Sequence, residues 1–482
     1  MFTILFQARA WGVGRGKKLF YFLLVALFIF IPSETLSAQT PEPRVFLPLI
    51  VKPDPGAAPP VAGEWPQVQR DPQHTGFTPE ILGTNFNVAW AHAFQPDKVY
   101  PQVQPIVYDS KVFVGTEGGK MVAFHAANGN IAWTFTAGGP ILASAAAGDG
   151  KVYFAAMDGA VYAVNAASGA QVWKTSLSRK GFSTAPVLLT GMLLLGGRDG
   201  NFYALNTADG SVRWQYRVPA PVLQTAAWDG GRVYFGAMDM RVYALNTADG
   251  SLAWQSAKIP GMAFKDYWPV VYQGKVFVRA MAMGELGVPP GTNPADTGAQ
   301  QAALNGYDSN PSAYEVSLAV LDAATGQAAP MVIHYHGQTM NGATAPPCVD
   351  RDGYLVMPAP RAPREYLSGW GRLDVSRRML VDLLEDTGPP PPDYTPGYGN
   401  PDENMSLTCT GNLILAMHTQ EFNANFTGAF NLDTRRWTLI PAGHATQQMS
   451  TNTQGGGSNP ASVAGGMVFH ISLHNLIART TQ

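Results

Sequence analysis

The chain has 482 residues, 32 of them basic and 34 acidic, for a formal net charge of −2 with 14% charged side chains. That balance offers no basic surface for nucleic acid or for an acidic membrane. With 46% hydrophobic residues, 51 glycines and 38 prolines, the composition excludes a disordered chain and fits a folded protein of many short strands and turns.

Arg9, Arg15, Lys17 and Lys18 precede an apolar run from Leu19 to Ile31, which ends at Pro32 and leads to Leu36-Ser-Ala38. Thirteen apolar residues are short for a membrane span, so residues 1–38 read as a signal peptide. Cleavage after Ala38 leaves no membrane span; an uncleaved anchor is the alternative, because Leu36 is large for that site. Residues 39–63 are rich in Pro, Ala and Gly and read as a linker, apart from an unexplained apolar patch, Val45–Val51. The rest, 64–482, is expected to be one domain placed outside the cytoplasm, as a secreted or cell-envelope protein and a monomer. Cys348 and Cys409 would there either bond or stay two separate buried thiols; their spacing leaves both open.

From Gly119 to Trp254 one eleven-residue pattern recurs four times, as in Ala163-Val-Asn-Ala-Ala-Ser-Gly-Ala-Gln-Val-Trp173 and Ala204-Leu-Asn-Thr-Ala-Asp-Gly-Ser-Val-Arg-Trp214. The tryptophans Trp133, Trp173, Trp214 and Trp254 stand 40, 41 and 40 residues apart, the length of one four-stranded propeller blade. Each copy reads as a strand, a tight turn whose glycine takes positive φ, and a second strand carrying the indole. A single such sheet cannot bury both faces, so the Trp is expected to wedge against the next blade.

This pattern resembles the tryptophan-docking motif of the PQQ-like, quinoprotein-type β-propeller repeats, which implies a closed ring of antiparallel sheets. Trp65-Pro-Gln-Val-Gln-Arg-Asp-Pro-Gln-His-Thr-Gly76 resembles the segment that leads into the first blade of such proteins. Hairpins whose second strands begin near Val112, Val152, Leu193, Val233, Val276, Leu355, Leu413 and Val468 predict eight blades, with seven as the alternative. The last blade lacks one strand, and Phe86–Phe94, with its own Trp90, is expected to supply it and close the ring. After the fourth copy the motif degrades: Pro330 stands at the Trp position of blade 5, blade 6 has none, and blade 7 keeps Trp437 after a turn two residues short. Trp90, Trp133, Trp173, Trp214, Trp254 and Trp437 are the expected docking residues.

In blades 5 to 7 the long insertions, 284–315, 358–370, 385–404 and Glu421–Thr427, all join strand two to three or strand four to the next blade. Those connections share one face of the ring, which makes that face the candidate binding surface. Just before each innermost strand sit Gln104, Ser144, Thr184, Thr225, Tyr267, Thr344, Ser406 and Asn459, expected around the channel mouth. Tyr366, Trp370, Tyr394 and Tyr398, with Asp402, Glu403 and Asn404, are expected on the loops above. Such a set suits a sugar, a peptide or another small ligand; alternatively the hydroxyls cap strand ends and the aromatics pin their own loops.

The resemblance also raises PQQ and Ca²⁺, held in the family's dehydrogenases by Glu and Asn beside an Asp base and often a disulfide between adjacent cysteines. No adjacent pair occurs here, and carboxylates such as Asp266 or Glu403 lie in no recognisable motif. Asp350-Arg-Asp352-Gly353 reads as a turn rather than a Ca²⁺ loop, and Met281/Met283 and His334/His336 as strand residues rather than copper ligands. The sequence reading is therefore an exported, non-enzymatic binding or scaffolding propeller without cofactor, acting on an unidentified protein, glycan or small molecule. Its alternatives are an outer-membrane assembly scaffold and a Ca²⁺- and PQQ-dependent alcohol or sugar dehydrogenase.

Overall fold

The computed structural model describes residues 63–261, 263–280, 296–309, 318–331, 346–360, 368–384, 405–418, 428–440, 460–472 and 475–482. The signal segment, most of the linker, Met281/Met283, His334/His336 and the 385–404 and 421–427 insertions lie outside them.

The fold is an eight-bladed β-propeller of antiparallel sheets. The eight predicted second strands all occur, from Lys111–Gly115 in blade 1 to Met467–Ser472 in blade 8. In blade 5 three strands are regular, and the fourth is marked by the Leu321–Ala328 bridge. Closure follows the sequence expectation. Asn87–Ala93 pairs antiparallel with Asn475–Thr480, so the two ends of the ring share blade 8. Arg479, buried in that sheet, donates from Nε to His470 Nε2 at 3.0 Å and from Nη1 to the Phe86 carbonyl at 3.0 Å.

Blades are fastened where each outer strand meets the next blade's turn. Trp90, Trp133, Trp173, Trp214 and Trp254 donate from Nε1 to the carbonyls of Ala126, Ala166, Thr207, Thr247 and Ala323, at 2.8 to 3.1 Å. Each indole also lies over the glycine of that turn. A Cβ on Gly169 would fall 2.7 Å from the Trp133 ring, and one on Gly210 2.5 Å from the Trp173 ring. The glycine is thus required twice, for its left-handed φ of +73° and for the ring above it. A bulge aims the indole. The residue before the Trp in blades 1 to 4 and 8 has no partner across the strand pair, which shifts the side-chain alternation by one.

Blade 7 shows what happens without it. Trp437 follows the shorter turn, pairs directly opposite Phe430 with no register shift, and donates backward to the Leu384 carbonyl of blade 6 at 3.3 Å. Trp437 is therefore a docking residue of reversed direction.

Blades 5 and 6, which lack the indole, use a different pair. Arg378 and Arg435 occupy the turn position held by glycine elsewhere, with φ of 60° and 53°. Arg378 Nε donates to the Pro330 carbonyl at 2.6 Å, and Arg435 makes a two-pronged pair with Asp382, which stands at the missing Trp's position. The Asp350 turn is an ion-paired turn, with Arg372 Nε 2.6 Å from Asp350. Cys348 and Cys409 are bonded and join the innermost strands of blades 6 and 7. The blade 5 insertion contains helix α1, Thr297–Ser309, whose buried Gln300 brackets Leu380 on the outer strand of blade 6. No helix among the described residues is long and apolar enough to cross a membrane.

Replacing Trp173 by Ala should cost about 3–5 kcal/mol in urea unfolding, the range for emptying a buried aromatic site. Gly210→Ala, which forces a methyl group into the same ring, should also destabilise, whereas Gly231→Ala, equally left-handed but with nothing within 4 Å, should cost less.

Candidate channel-mouth site

The innermost strands turn one edge toward the channel, and their amides need acceptors. Residues 65–80 supply them, one blade after another. Trp65 exchanges two backbone bonds with Val107 of blade 1. The Pro66 carbonyl then accepts from Ala147 of blade 2, Gln67 Oε1 from Leu188 of blade 3, the Pro72 carbonyl from Trp228 of blade 4 and the Gln73 carbonyl from Val271 of blade 5. The Thr75 carbonyl accepts from Val349 of blade 6, the Gly76 carbonyl from Cys409 of blade 7 and Glu80 from Gly466 of blade 8. The segment is a belt that passes once around the axis, on the side of the turns joining strands one and two.

Its sequence suits that course. Proline offers a carbonyl and no N–H, and left-handed Gln69, Arg70, His74 and Gly76 bend the chain. Arg70 ties its two ends, donating to the carbonyls of Glu64 at 3.3 Å and Phe77 at 3.2 Å. His74, 1% exposed, is bonded through Nδ1 to the Pro269 carbonyl at 3.0 Å, and burial lowers its pKa to about 4. Burial pushes the Asp71 carboxyl up, partly offset by hydrogen bonds from Thr75.

Above the belt, on the long-loop side, lies a small hollow with room for about one water molecule. Val68 of the belt floors it, and Gln102, Ser144, Ser183, Thr225 and Trp268 are among its walls. The predicted mouth residues Ser144, Thr225 and Tyr267 meet here, but their polar groups stitch blades together. Ser144 Oγ accepts the Gln104 amide at 2.7 Å, and Thr225 Oγ1 accepts the Ala185 amide at 2.9 Å, each from the preceding blade. Gln104 bonds through its own amide to Gln69 of the belt and Ala461 of blade 8. Thr184 Oγ1 donates to the Gly196 carbonyl at 2.7 Å. Tyr267 is buried under the Arg279 guanidinium, 4.3 Å from its ring centre. Ser406 is buried in the strand that carries Cys409.

Trp370 is a correction. It lies in the third strand of blade 6, opposite Pro358, and is 2% exposed in the core around the disulfide rather than on a loop. The strands flanking it run longer than expected, so the connection narrows to residues 361–367. Thr344, Tyr366, Tyr394, Tyr398, Asp402, Glu403, Asn404 and Asn459 lie outside the described residues.

Sequence reasoning missed a carboxylate–tyrosine pair repeated on the loop side of blades 2 to 4. Tyr162, Tyr203 and Tyr243 donate to Asp158, Asp199 and Asp239, four residues earlier. The recurring Asp-x-x-x-Tyr spacing was its signal. Burial and then the Asp199 hydrogen bond push the Tyr203 hydroxyl up to about 12, far from acid–base work near neutrality. No three His, Cys, Asp or Glu side chains among the described residues converge on a metal site. PQQ is a fused-ring tricarboxylate, and this hollow has no space for its rings.

Fold and belt define the class, an eight-bladed β-propeller with a belt of chain bonded to the inner strands. The family profile described as outer membrane protein assembly factor BamB matches residues 87–174 and 157–281. The residues it matches are PQQ-like repeats. A europium-containing methanol dehydrogenase is 12% identical with a TM-score of 0.57, over 85% of this chain and 90% of that one. The quinohemoprotein alcohol dehydrogenase of Comamonas testosteroni is 13% identical with a TM-score of 0.56, over 87% and 80%. BamB of Moraxella catarrhalis is 14% identical with a TM-score of 0.49, over 82% and 100%. Likenesses this distant show the fold alone. No curated protein matches the chain.

His74 makes the belt acid-sensitive. Its folded pKa of about 4 lies below the ordinary 6.5, so the unfolded chain takes up a proton that the folded one refuses. The stability it contributes is present above pH 6.5 and is lost as pH falls toward 4, on the order of 3 kcal/mol in all. Asp71 acts in the opposite sense, so the test is a difference. His74→Asn tolerates the left-handed backbone and can keep a donor to Pro269; it should flatten the fall in urea stability between pH 7 and 4.5 relative to the natural chain.

Proposed function

We propose that this propeller is an extracytoplasmic, non-enzymatic binding or scaffolding module that engages a protein, glycan or small molecule through its long-loop face. The observation that carries the reading is the belt. It lies along one side of the inner strands with hydrogen bonds to all eight blades, which supports an approach from the opposite side. The lengths of the connections after residue 280 support it, because the long ones run between strands two and three of a blade or from strand four to the next blade. The Cys348–Cys409 bond fits a compartment outside the cytoplasm. Working without quinone or calcium is part of this reading.

A second reading, an outer-membrane protein assembly scaffold, is favoured by the description of the family profile that matches residues 87–281. Cross-linking in the cell envelope distinguishes it: a covalent adduct to β-barrel assembly machinery supports it, and adducts elsewhere do not.

Purified protein incubated with PQQ and Ca²⁺ should reduce no redox dye with alcohols or sugars; turnover would overturn the non-enzymatic reading. Cysteines placed at exposed Lys180 on the loop side and exposed Gly230 on the turn side, then blocked with a bulky maleimide, test the face. Binding of any captured ligand should be lost only in the first.

A further inference from the structure

The near-zero charge of the whole chain conceals a division between the two sides of the ring. On the turn side of blades 1 to 5 the cations are mostly spent within the molecule. Lys111 pairs with Asp109 at 3.1 Å and Lys275 with Asp322 at 2.8 Å. Arg213 and Arg232 donate to the carbonyls of Gly191 and Ala324, each at 2.9 Å; only Lys151 makes no such contact there.

The loop side differs. Lys98, Arg179, Lys180 and Lys258 lie in connections from one blade to the next, Lys120 opens the third strand of blade 1, and Arg217 ends the fourth strand of blade 3, so all six stand on the loop-side edge. All are exposed, and none has a carboxylate within ion-pair reach among the described residues. The acids of the same edge are engaged elsewhere. Asp158, Asp199 and Asp239 accept from their tyrosines, and Asp97 accepts from Thr116 and the Gly118 amide. Asp158 and Asp266 face Lys174 and Lys265, further cations of that edge. Composition over the whole chain gave no reason to expect a basic surface, and this is the correction. The excess belongs to blades 1 to 4, because the 385–404 connection carries Glu385, Asp386, Asp393, Asp402 and Glu403 with no Lys or Arg.

Exposed cations without internal partners call for an anionic partner, and what else the edge offers decides its class. A membrane surface is held by apolar tips as well as charge, and sugar rings are held by aromatic platforms. The exposed large apolar side chains, Ile81, Val88, Ile131, Val172, Val212 and Leu252, lie after the belt or at the start of outer strands, toward the turn side, and none is aromatic. Charge alone is left, which suits carboxylate side chains of a protein and gives steering and orientation.

We propose that the loop-side edge of blades 1 to 4 is a cationic docking surface for an acidic segment of a partner protein. This rests on the loop-face reading and names its partner by charge. The acidic 385–404 connection sets the orientation, since like charge keeps such a segment over blades 1 to 4.

The test uses the full chain and a fluorescent oligoglutamate peptide. Anisotropy should show saturable binding that weakens at least about tenfold as salt rises from about 0.01 to about 0.15 M, over which the screening length falls from about 30 to about 8 Å. Lys98→Glu, Lys120→Glu, Arg179→Glu, Lys180→Glu, Arg217→Glu and Lys258→Glu together should abolish it with the unfolding midpoint retained, whereas Lys111→Glu with Lys151→Glu on the turn side should leave it unmoved. If the combined variant does not fold, Arg179→Glu with Lys180→Glu should still weaken binding roughly threefold. Absence of saturable binding, or binding that ignores the loop-side reversals, would overturn the proposal. Equally tight binding of polygalacturonate or of phosphatidylglycerol vesicles would overturn it too, because the partner would then be a glycan or a membrane. The loop-face reading is judged apart. If the peptide fails while a captured ligand is still lost on blocking position 180, only this inference falls; if the peptide binds as expected while the captured ligand ignores that block, only the earlier reading falls.

Discussion

Everything in this ring depends on how one outer strand meets the turn of the next blade. In blades 8 and 1 to 4 the meeting is an indole laid over a glycine, with its N–H on a turn carbonyl. Both partners are needed, since a side chain on the glycine would occupy the ring's place. The bulge is as important as the tryptophan, because it decides which neighbour the ring faces. Blade 7 has the indole without the bulge, and its Trp437 turns back to blade 6. Where the indole is lost, the glycine is lost with it. Arg378 and Arg435 then reach back from the turn to Pro330 and Asp382, so the contact is kept while its chemistry changes from apolar packing to charge and hydrogen bonding.

A ring fastened at its rim still has an inner edge of unpaired amides. The belt answers this with acceptors in the order of the blades, and Arg70 ties its ends together. The polar residues beside it, Gln104, Ser144 and Thr225, belong to the same task, since each receives or gives a bond across a blade boundary. The centre of the molecule is therefore committed to holding itself together.

Much of the architecture was legible because tandem repeats print their geometry on the sequence. The even Trp spacing, the glycine turns and the missing eighth strand each followed from counting, and the second strands begin within one residue of the expected positions. The roles of the mouth residues were harder to see. A repeat shows that Ser144 and Thr225 hold equivalent places, but not that their lone pairs are already taken by the preceding blade. Trp370 was misplaced because residues 358–370 read as one insertion, although Pro358 to Pro360 and Ser368 to Trp370 pair within the sheet. The arginine fasteners had a signal that passed unread: Arg378 and Arg435 stand at the glycine's place only in the blades that follow a missing Trp.

The same substitutions fall in blades 5 to 7, where the sequence carries its long insertions. These blades carry fasteners that act at other points of the interface. The Cys348–Cys409 bond joins the innermost strands, and closing a loop of 61 residues contributes about 4 kcal/mol on the chain-entropy account. Gln300 and α1 hold the outer strand of blade 6 from outside, and Arg435 with Asp382 holds the turn between them. Blades 5 to 7 are thus joined at the axis, the middle and the rim, where the uniform blades rely chiefly on the indole. A frame so secured can carry long loops without losing its register, and loops on a rigid frame are where recognition specificity can vary freely.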